Sequence, residues 1–326
     1  MSGALVYLAF VLGLVMVIRG ADWFVEAAVW IARRTGISEV IVGATIVSVG
    51  TTLPEVSVST YSSWVGSPDV ALGNAIGSCI CNIALIFAIS IAVRAIPIRS
   101  DSFYAKGIIM LAAAVVVTVL SMDGTLSRLD GFILLGVLVA NIIYVVMTEL
   151  SSSQREAEHH VSSAEPEASS ARRLFPLSTM GQVAQFVMGA ATVAVGSRFL
   201  VTSATTIAEM LGISEKVIGL TIVSVGTSLP ELATAITSLI KGHQSLSAGN
   251  ILGANFIDLT AVLGFASVVN PITVGSGFIM LDFPVMLVVM GALMLFAVTR
   301  RTLARWEGFI LLAMYAAYLG VLFIYG

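Results

Sequence analysis

The chain has 326 residues, of which 58% are hydrophobic and only 11% charged, with a mean hydropathy of +1.01 and a formal net charge of −3. A soluble domain carries roughly 25% charged residues, so this composition excludes a water-soluble globular protein, and no nucleic-acid partner is expected. It describes a polytopic membrane protein in which lipid replaces water as the solvent, so backbone polar groups must be satisfied within helices.

The ~20-residue rule for a span divides the sequence into about ten predicted helices. The first runs from Leu5 to Ile31 and carries Arg19, Asp22 and Glu26 in its second half, where they are expected to pair or snorkel at an interface. No basic segment precedes its apolar run, so no separate signal peptide is expected. The second, Val40 to Val65, contains Gly50-Thr51-Thr52-Leu53-Pro54-Glu55, and the third, Val70 to Val93, contains Gly73-Asn74 and Gly77-Ser78-Cys79-Ile80-Cys81-Asn82. The fourth, Gly107 to Leu120, is short, and the fifth is Leu129 to Met147. A stretch rich in Ser, Glu and Ala, Glu149 to Arg173, reads as a solvated linker. Its His159-His160 pair has too few neighbouring ligands for a metal site. The sixth to tenth helices are Val183 to Met210, Val217 to Ile240, Ser247 to Val269, Met280 to Val298 and Trp306 to Tyr325. The seventh holds Gly226-Thr227-Ser228-Leu229-Pro230-Glu231, and the eighth holds Gly249-Asn250 and Gly253-Ala254-Asn255-Phe256-Ile257-Asp258.

The halves are copies of one another. A constant offset of 176 residues carries Gly36 to Gly212, Pro54 to Pro230, Glu55 to Glu231, Asn74 to Asn250 and Gly77 to Gly253. An unbroken offset over this length marks an internal repeat. The same offset pairs Asn82 with Asp258 and Ser78 with Ala254, so the copies differ at two polar positions.

With the N-terminus placed outside, the inside segments hold Arg33, Arg34, Arg94, Arg99, Lys106, Arg155, Arg172, Arg173, Lys241, Arg300, Arg301 and Arg305, and the outside loops only Arg128 and Lys216. By the positive-inside rule both termini face outward and the linker is cytoplasmic, in the cell membrane. Five helices per copy, an odd number, turn the second copy upside down. The predicted fold is therefore all-α: two inverted five-helix repeats, residues 1–148 and 175–326, joined by a linker at 149–174, with Pro-interrupted helices at the centre. This plan is the signature of a secondary transporter.

The chemistry lies in the paired motifs. A proline four residues after a glycine deprives that glycine's carbonyl of its ladder partner. A carboxylate inside a span is costly and marks an ion or substrate path. Inversion brings Glu55 and Glu231 together near the pseudo-two-fold axis, where their repulsion at low dielectric demands a positive charge between them, either a metal ion or a shared proton. Ca²⁺ matches two carboxylates and takes six to eight oxygens. Thr51, Thr52, Thr227 and Ser228 offer hydroxyl or carbonyl oxygens beside the acids, and Ser78, Asn82 and Asp258 offer more on the adjacent helices. The glycines four apart form close-packing faces, and Cys79 and Cys81 read as small apolar fillers.

Gly43 to Asn82 and Gly219 to Asp258 resemble the α-1 and α-2 repeats of the cation/Ca²⁺ exchanger superfamily, with the nearest likeness to prokaryotic Na⁺/Ca²⁺ exchangers. The resemblance implies a cofactor-free antiporter, not an enzyme, in which Na⁺ and Ca²⁺ compete for overlapping sites and no protein partner is obligatory. It implies that Glu55 and Glu231 bind Ca²⁺ with backbone oxygens of Thr51 and Thr227. Na⁺ would use these together with carbonyls near Ser48 and Ser224, the Thr52, Ser228 and Ser78 hydroxyls, and Asn82 and Asp258. Such exchangers often have Ser where this chain has Ala254, so one hydroxyl ligand is lost. A Ca²⁺/H⁺ exchanger and a K⁺-dependent variant are the alternatives. An intramembrane aspartyl hydrolase needs two facing Asp residues, and only Asp258 lies deep in a span. A zinc hydrolase needs an H-E-x-x-H helix, and His159, His160 and His243 lie in predicted loops. The inverted repeat argues for alternating access over a channel.

Overall fold

Where this chain meets lipid it forms helices, because in a helix each backbone N–H and C=O finds a partner within its own segment. A computed structural model describes residues 3–66, 68–98, 100–157, 179–210, 226 and 228–325. In order these give α1 (Gly3–Thr35), α2 (Glu39–Trp64), α3 (Val70–Val93), α4 (Asp101–Leu120), α5 (Arg128–Ala157), α6 (Thr179–Met210), α7 (Leu229–Ile240), α8 (Gln244–Val269), α9 (Phe278–Arg300) and α10 (Arg305–Tyr325). Among the described residues, nine of these helices are long and apolar enough to cross a membrane, and α7 is a shorter apolar helix.

The core lies around α3 and α8. Ile76, Ile80, Ile83 and Phe87 of α3 and Ile251, Leu259 and Leu263 of α8 are fully buried, as expected for helices that are apolar all round. The peripheral helices turn large apolar side chains outward, among them Leu8 and Val11 of α1 and Phe132 and Val139 of α5.

The inverted repeat is written into the contacts. On α1 and α6, a Cβ on Gly13 would stand 2.8 Å from the Gly196 carbonyl oxygen, and one on Gly20 would stand 3.0 Å from that of Gly189. The 176-residue offset carries Gly13 to Gly189 and Gly20 to Gly196, so the two approaches are one contact seen twice across a pseudo-two-fold axis. Two antiparallel two-residue strand pairs obey the same operation: β1 (Ile96–Pro97) pairs with β4 (Thr302–Leu303), and β2 (Thr125–Leu126) pairs with β3 (Ile272–Thr273). The partners in register are Ile96 with Leu303 and Leu126 with Ile272, and the repeat exchanges these two pairs, the offset being 176 from Ile96 to Ile272 and 177 from Leu126 to Leu303. At the helix starts, Asp130 accepts from the Ser127 N–H at 2.8 Å and Glu307 from the Ala304 N–H at 2.7 Å. These are again equivalent places, and both supply the carboxylate that unpaired N-terminal amides require.

Several expected boundaries move. The fourth helix begins at Asp101, capped by the Ser100 hydroxyl, six residues before the expected Gly107. Lys106 is therefore a buried helical residue and leaves the tally of inside-loop cations. The polar stretch expected to be linker from Glu149 begins as helix, because α5 continues to Ala157; its Ser, Gln, Arg, Glu and Ala residues tolerate helical geometry once a preceding helix supplies the nucleus. Residues 158–178, with His159 and His160, lie outside the described residues. Asp22 and Glu26 do pair, but with Lys241 at the end of α7, whose Nζ lies 3.3 Å from Asp22 Oδ1 and 3.0 Å from Glu26 Oε1.

The proline devices differ between the copies. In α2 the helix runs on through Pro54, and the irregularity is a wide π-turn at Gly43–Val47, about two turns earlier. In the second copy α7 begins at Leu229 with Pro230 in its first turn, a position that proline tolerates because its missing N–H has no helical partner there.

Candidate ion-binding site

Close helix approach makes the site. A Cβ on Gly253 would stand 2.5 Å from both the Ala44 carbonyl oxygen and the Ser48 hydroxyl, and Gly249 meets the Val40 carbonyl oxygen. The π-turn of α2 is thus pressed onto a glycine face of α8, which small residues permit. Two more π-turns begin at site residues in equivalent positions, Asn82–Phe87 in α3 and Asp258–Val262 in α8. Such turns redirect side chains and release carbonyls from the regular ladder.

The motif residues converge across the axis. Glu55 and Glu231 are each 1% exposed, as is Asp258, and the three carboxylates lie near enough to act on one another through charge. The Thr52 hydroxyl donates to Glu231 Oε1 at 3.3 Å, linking the first motif to the second. The Ser228 hydroxyl donates to Ser78 Oγ at 3.3 Å. Thr51 Oγ1 lies 3.3 Å from both the Ser48 carbonyl oxygen and Asn250 Oδ1. Asn82 Nδ2 lies 3.5 Å from Asp258 Oδ2. The expected residues Glu55, Glu231, Thr52, Ser228, Ser78, Asn82 and Asp258 thus gather in one buried place, with Thr51 and Ser48 beside them; Thr227 and Ser224 lie outside the described residues.

Four buried oxygens of this set have no protein partner: Glu55 Oε2, Glu231 Oε2, Asn82 Oδ1 and Asp258 Oδ1. A buried acceptor without a donor costs roughly 1–3 kcal/mol, and more when charged. Asn250, whose Oδ1 accepts from Thr51, also leaves its Nδ2 buried without a partner, but the four oxygens contributed by the expected ligands are all acceptors and fit a cation. The donor set is oxygen throughout, suited to hard cations such as Na⁺ and Ca²⁺ and poorly suited to zinc. Among the described residues no three His, Cys, Asp or Glu side chains form a metal-holding group, so hydroxyl, amide and carbonyl oxygens must complete any coordination shell here.

Two residues named in the motifs were not assigned to the site from the sequence. Asn250 accepts from Thr51, and its signal was the Gly-Asn doublet already visible at Gly73-Asn74. Asn255 accepts from Asn82 Nδ2 at 3.0 Å and donates to the Cys79 carbonyl oxygen at 3.3 Å. Its repeat counterpart is Cys79, which read as a filler, so comparison of the copies hid it.

The model of the sodium/calcium exchanger protein family matches residues 5–147 and 181–324. An inner membrane protein, YrbG of Escherichia coli, is 37% identical over 283 residues, 86% of this chain and 84% of that one. The sodium/calcium exchanger MaX1 of Methanosarcina acetivorans is 29% identical over 352 residues, covering 97% of this chain and 98% of its own. Among solved structures, the sodium-calcium exchanger NCX_Mj soaked with Na⁺ and Sr²⁺ superposes with a TM-score of 0.80 at 30% identity, covering 98% of this chain and 99% of that one. With the buried oxygen cluster on the axis of an inverted repeat, these likenesses establish that the chain belongs to the sodium/calcium exchanger family, integral membrane proteins that exchange cations against Ca²⁺.

Proposed function

We propose that this protein is a Na⁺/Ca²⁺ antiporter that works by alternating access, with Glu55 and Glu231 as the shared counter-charge for one Ca²⁺. The observation that carries this reading is the set of four partnerless acceptor oxygens, one from each of Glu55, Glu231, Asn82 and Asp258, beside the hydroxyls of Thr51, Thr52, Ser78 and Ser228. Ca²⁺ is held by the two glutamates with backbone oxygens of Thr51 and Thr227. Na⁺ uses the same glutamates, carbonyls near Ser48 and Ser224, and the neutral oxygens around them. The two cations cannot share these ligands, so each expels the other. Inversion of the repeats supports a cycle in which the site opens to one side at a time. The functional halves are residues 1–148 and 175–326 about a cytoplasmic linker at 149–174, with both termini outside the cell membrane.

Hydroxyls beside the acids favour Na⁺ over H⁺, since a proton needs only a carboxylate. A Ca²⁺/H⁺ exchanger is the second reading: Ala254 removes a hydroxyl from the Na⁺ set, and Asp258 adds a third proton-accepting group. Uptake of ⁴⁵Ca²⁺ into proteoliposomes under separate Na⁺, K⁺ and pH gradients tests the choice. Uptake driven by an outward Na⁺ gradient alone supports the leading reading, and uphill uptake driven by a pH gradient alone replaces it.

A further inference from the structure

We propose that Asn255 is a positioning residue that fixes the amide of Asn82 so that Asn82 Oδ1 faces the transported ion. This rests on the reading of Asn82 as an ion ligand. The inference follows from hydrogen-bond direction. A carbonyl or a thioether sulfur can only accept, whereas an Asn amide has one accepting and one donating end. Asn255 Nδ2 lies 3.3 Å from the Cys79 carbonyl oxygen and 3.7 Å from Met110 Sδ. Both neighbours are acceptors, so the donating end of Asn255 must point at them. Its Oδ1 is then turned to Asn82, whose Nδ2 it meets at 3.0 Å. Asn82 in turn must keep its donating end there, and its Oδ1 is left buried and partnerless.

The alternative orientation is penalised at each link. A reversed Asn82 would set its oxygen against Asn255 Oδ1 and Asp258 Oδ2. A reversed Asn255 would set its oxygen against a carbonyl oxygen and a thioether. Asp258 also holds Asn82, but at 3.5 Å, and as an ion-binding group it is not a constant partner. Asn255 is fully buried and is anchored to backbone, so it holds its direction whichever ion is bound. Cys79 Sγ also donates to the Asn255 carbonyl oxygen at 3.6 Å. Positions 79 and 255 therefore bond each other reciprocally at the axis, and the asymmetric residue pair there selects which amide is oriented.

The test is a double-mutant cycle in proteoliposomes, reading the Na⁺ and Ca²⁺ concentrations for half-maximal effect on ⁴⁵Ca²⁺ flux in Asn82→Ala, Asn255→Ala and the double variant. Residues that act as one unit are non-additive. The expected result is that Asn255→Ala raises the Na⁺ requirement by at least about threefold, a coupling within the usual range for interacting neighbours. It does so in the wild-type background and has no further effect on Asn82→Ala. Additive shifts, or loss of maximal flux with an unchanged ratio of Na⁺ to Ca²⁺ requirement, would overturn the positioning role. An Asn82→Ala variant with unchanged requirements would instead overturn the ligand reading. Asn255→Ser, which keeps a donor and an acceptor, enters the same cycle if Asn255→Ala is not recovered as a monodisperse protein.

Discussion

Asn82 and Asp258 occupy the same place in the two repeats, and they touch, Asn82 Nδ2 standing 3.5 Å from Asp258 Oδ2. A residue meets its own counterpart only on the symmetry axis, as in any isologous contact. The pair therefore marks the axis and differs by one charge. Asp258→Asn would make the axis chemically symmetric. If, as proposed, Glu55 and Glu231 balance Ca²⁺, this variant is expected to keep Ca²⁺ exchange within about tenfold of wild type, a limit of ~1.4 kcal/mol. Initial rates of ⁴⁵Ca²⁺ exchange check it, and a complete loss would give Asp258 the standing of a third obligatory charge.

Acid is expected to act as a competitor. Ligands hold a metal only when deprotonated, and protonation of Glu55, Glu231 or Asp258 removes charge from the site. Lowering the pH should raise the Ca²⁺ concentration needed for half-maximal flux, and excess Ca²⁺ should restore the rate. The check is a Ca²⁺ titration at several pH values between about 8 and about 5, above the ~4.3 of free Glu. A Ca²⁺ requirement independent of pH would contradict it.

Ala254 stands where the first repeat has Ser78, four residues before Asp258 and on the same helix face. It is fully buried, and the Ser78 hydroxyl oxygen already accepts from Ser228. Ala254→Ser is expected to lower the Na⁺ concentration needed to drive or inhibit Ca²⁺ exchange and to leave Ca²⁺ affinity nearly unchanged. Ser78→Ala should do the reverse. A Na⁺ titration of Ca²⁺ flux measures both, and unmoved Na⁺ dependence in Ala254→Ser would count against Na⁺ as the coupling ion or against this position lining the site.

The crossing of α1 and α6 makes a stability prediction. A Cβ at Gly20 would meet the Val193 backbone nitrogen at 2.8 Å, whereas nothing lies within 4 Å of one at Gly136. Backbone cannot yield as a side chain can, and overpacking costs about 1–3 kcal/mol. Gly20→Ala should lower the midpoint of thermal aggregation in detergent, while Gly136→Ala, in the open, should hold or raise it, since Ala is the better helix former by ~1 kcal/mol. Equal midpoints for the two variants would contradict the tight crossing.

The helices, the repeat and the acid pair were legible in the sequence because each rests on a periodic or repeated signal: hydropathy over a span, a fixed offset, and a carboxylate where lipid makes one costly. The start of α4 was missed because Lys106, a charge, looked like a boundary. The π-turns at Gly43–Val47, Asn82–Phe87 and Asp258–Val262 leave no compositional mark, since one extra residue in a turn changes no hydropathy pattern. Asn255 was missed because its partner in the repeat is not polar; its importance comes from a contact across the axis, which no linear comparison contains.

The central claim, that two glutamates from opposite repeats jointly hold one Ca²⁺, is tested most directly by Na⁺-gradient-driven ⁴⁵Ca²⁺ uptake in Glu55→Gln and Glu231→Gln, each nearly isosteric and each removing one charge. Both variants are expected to insert and remain monodisperse while uptake falls at least about a hundredfold, ~2.8 kcal/mol. Near-wild-type uptake by either variant would contradict the claim.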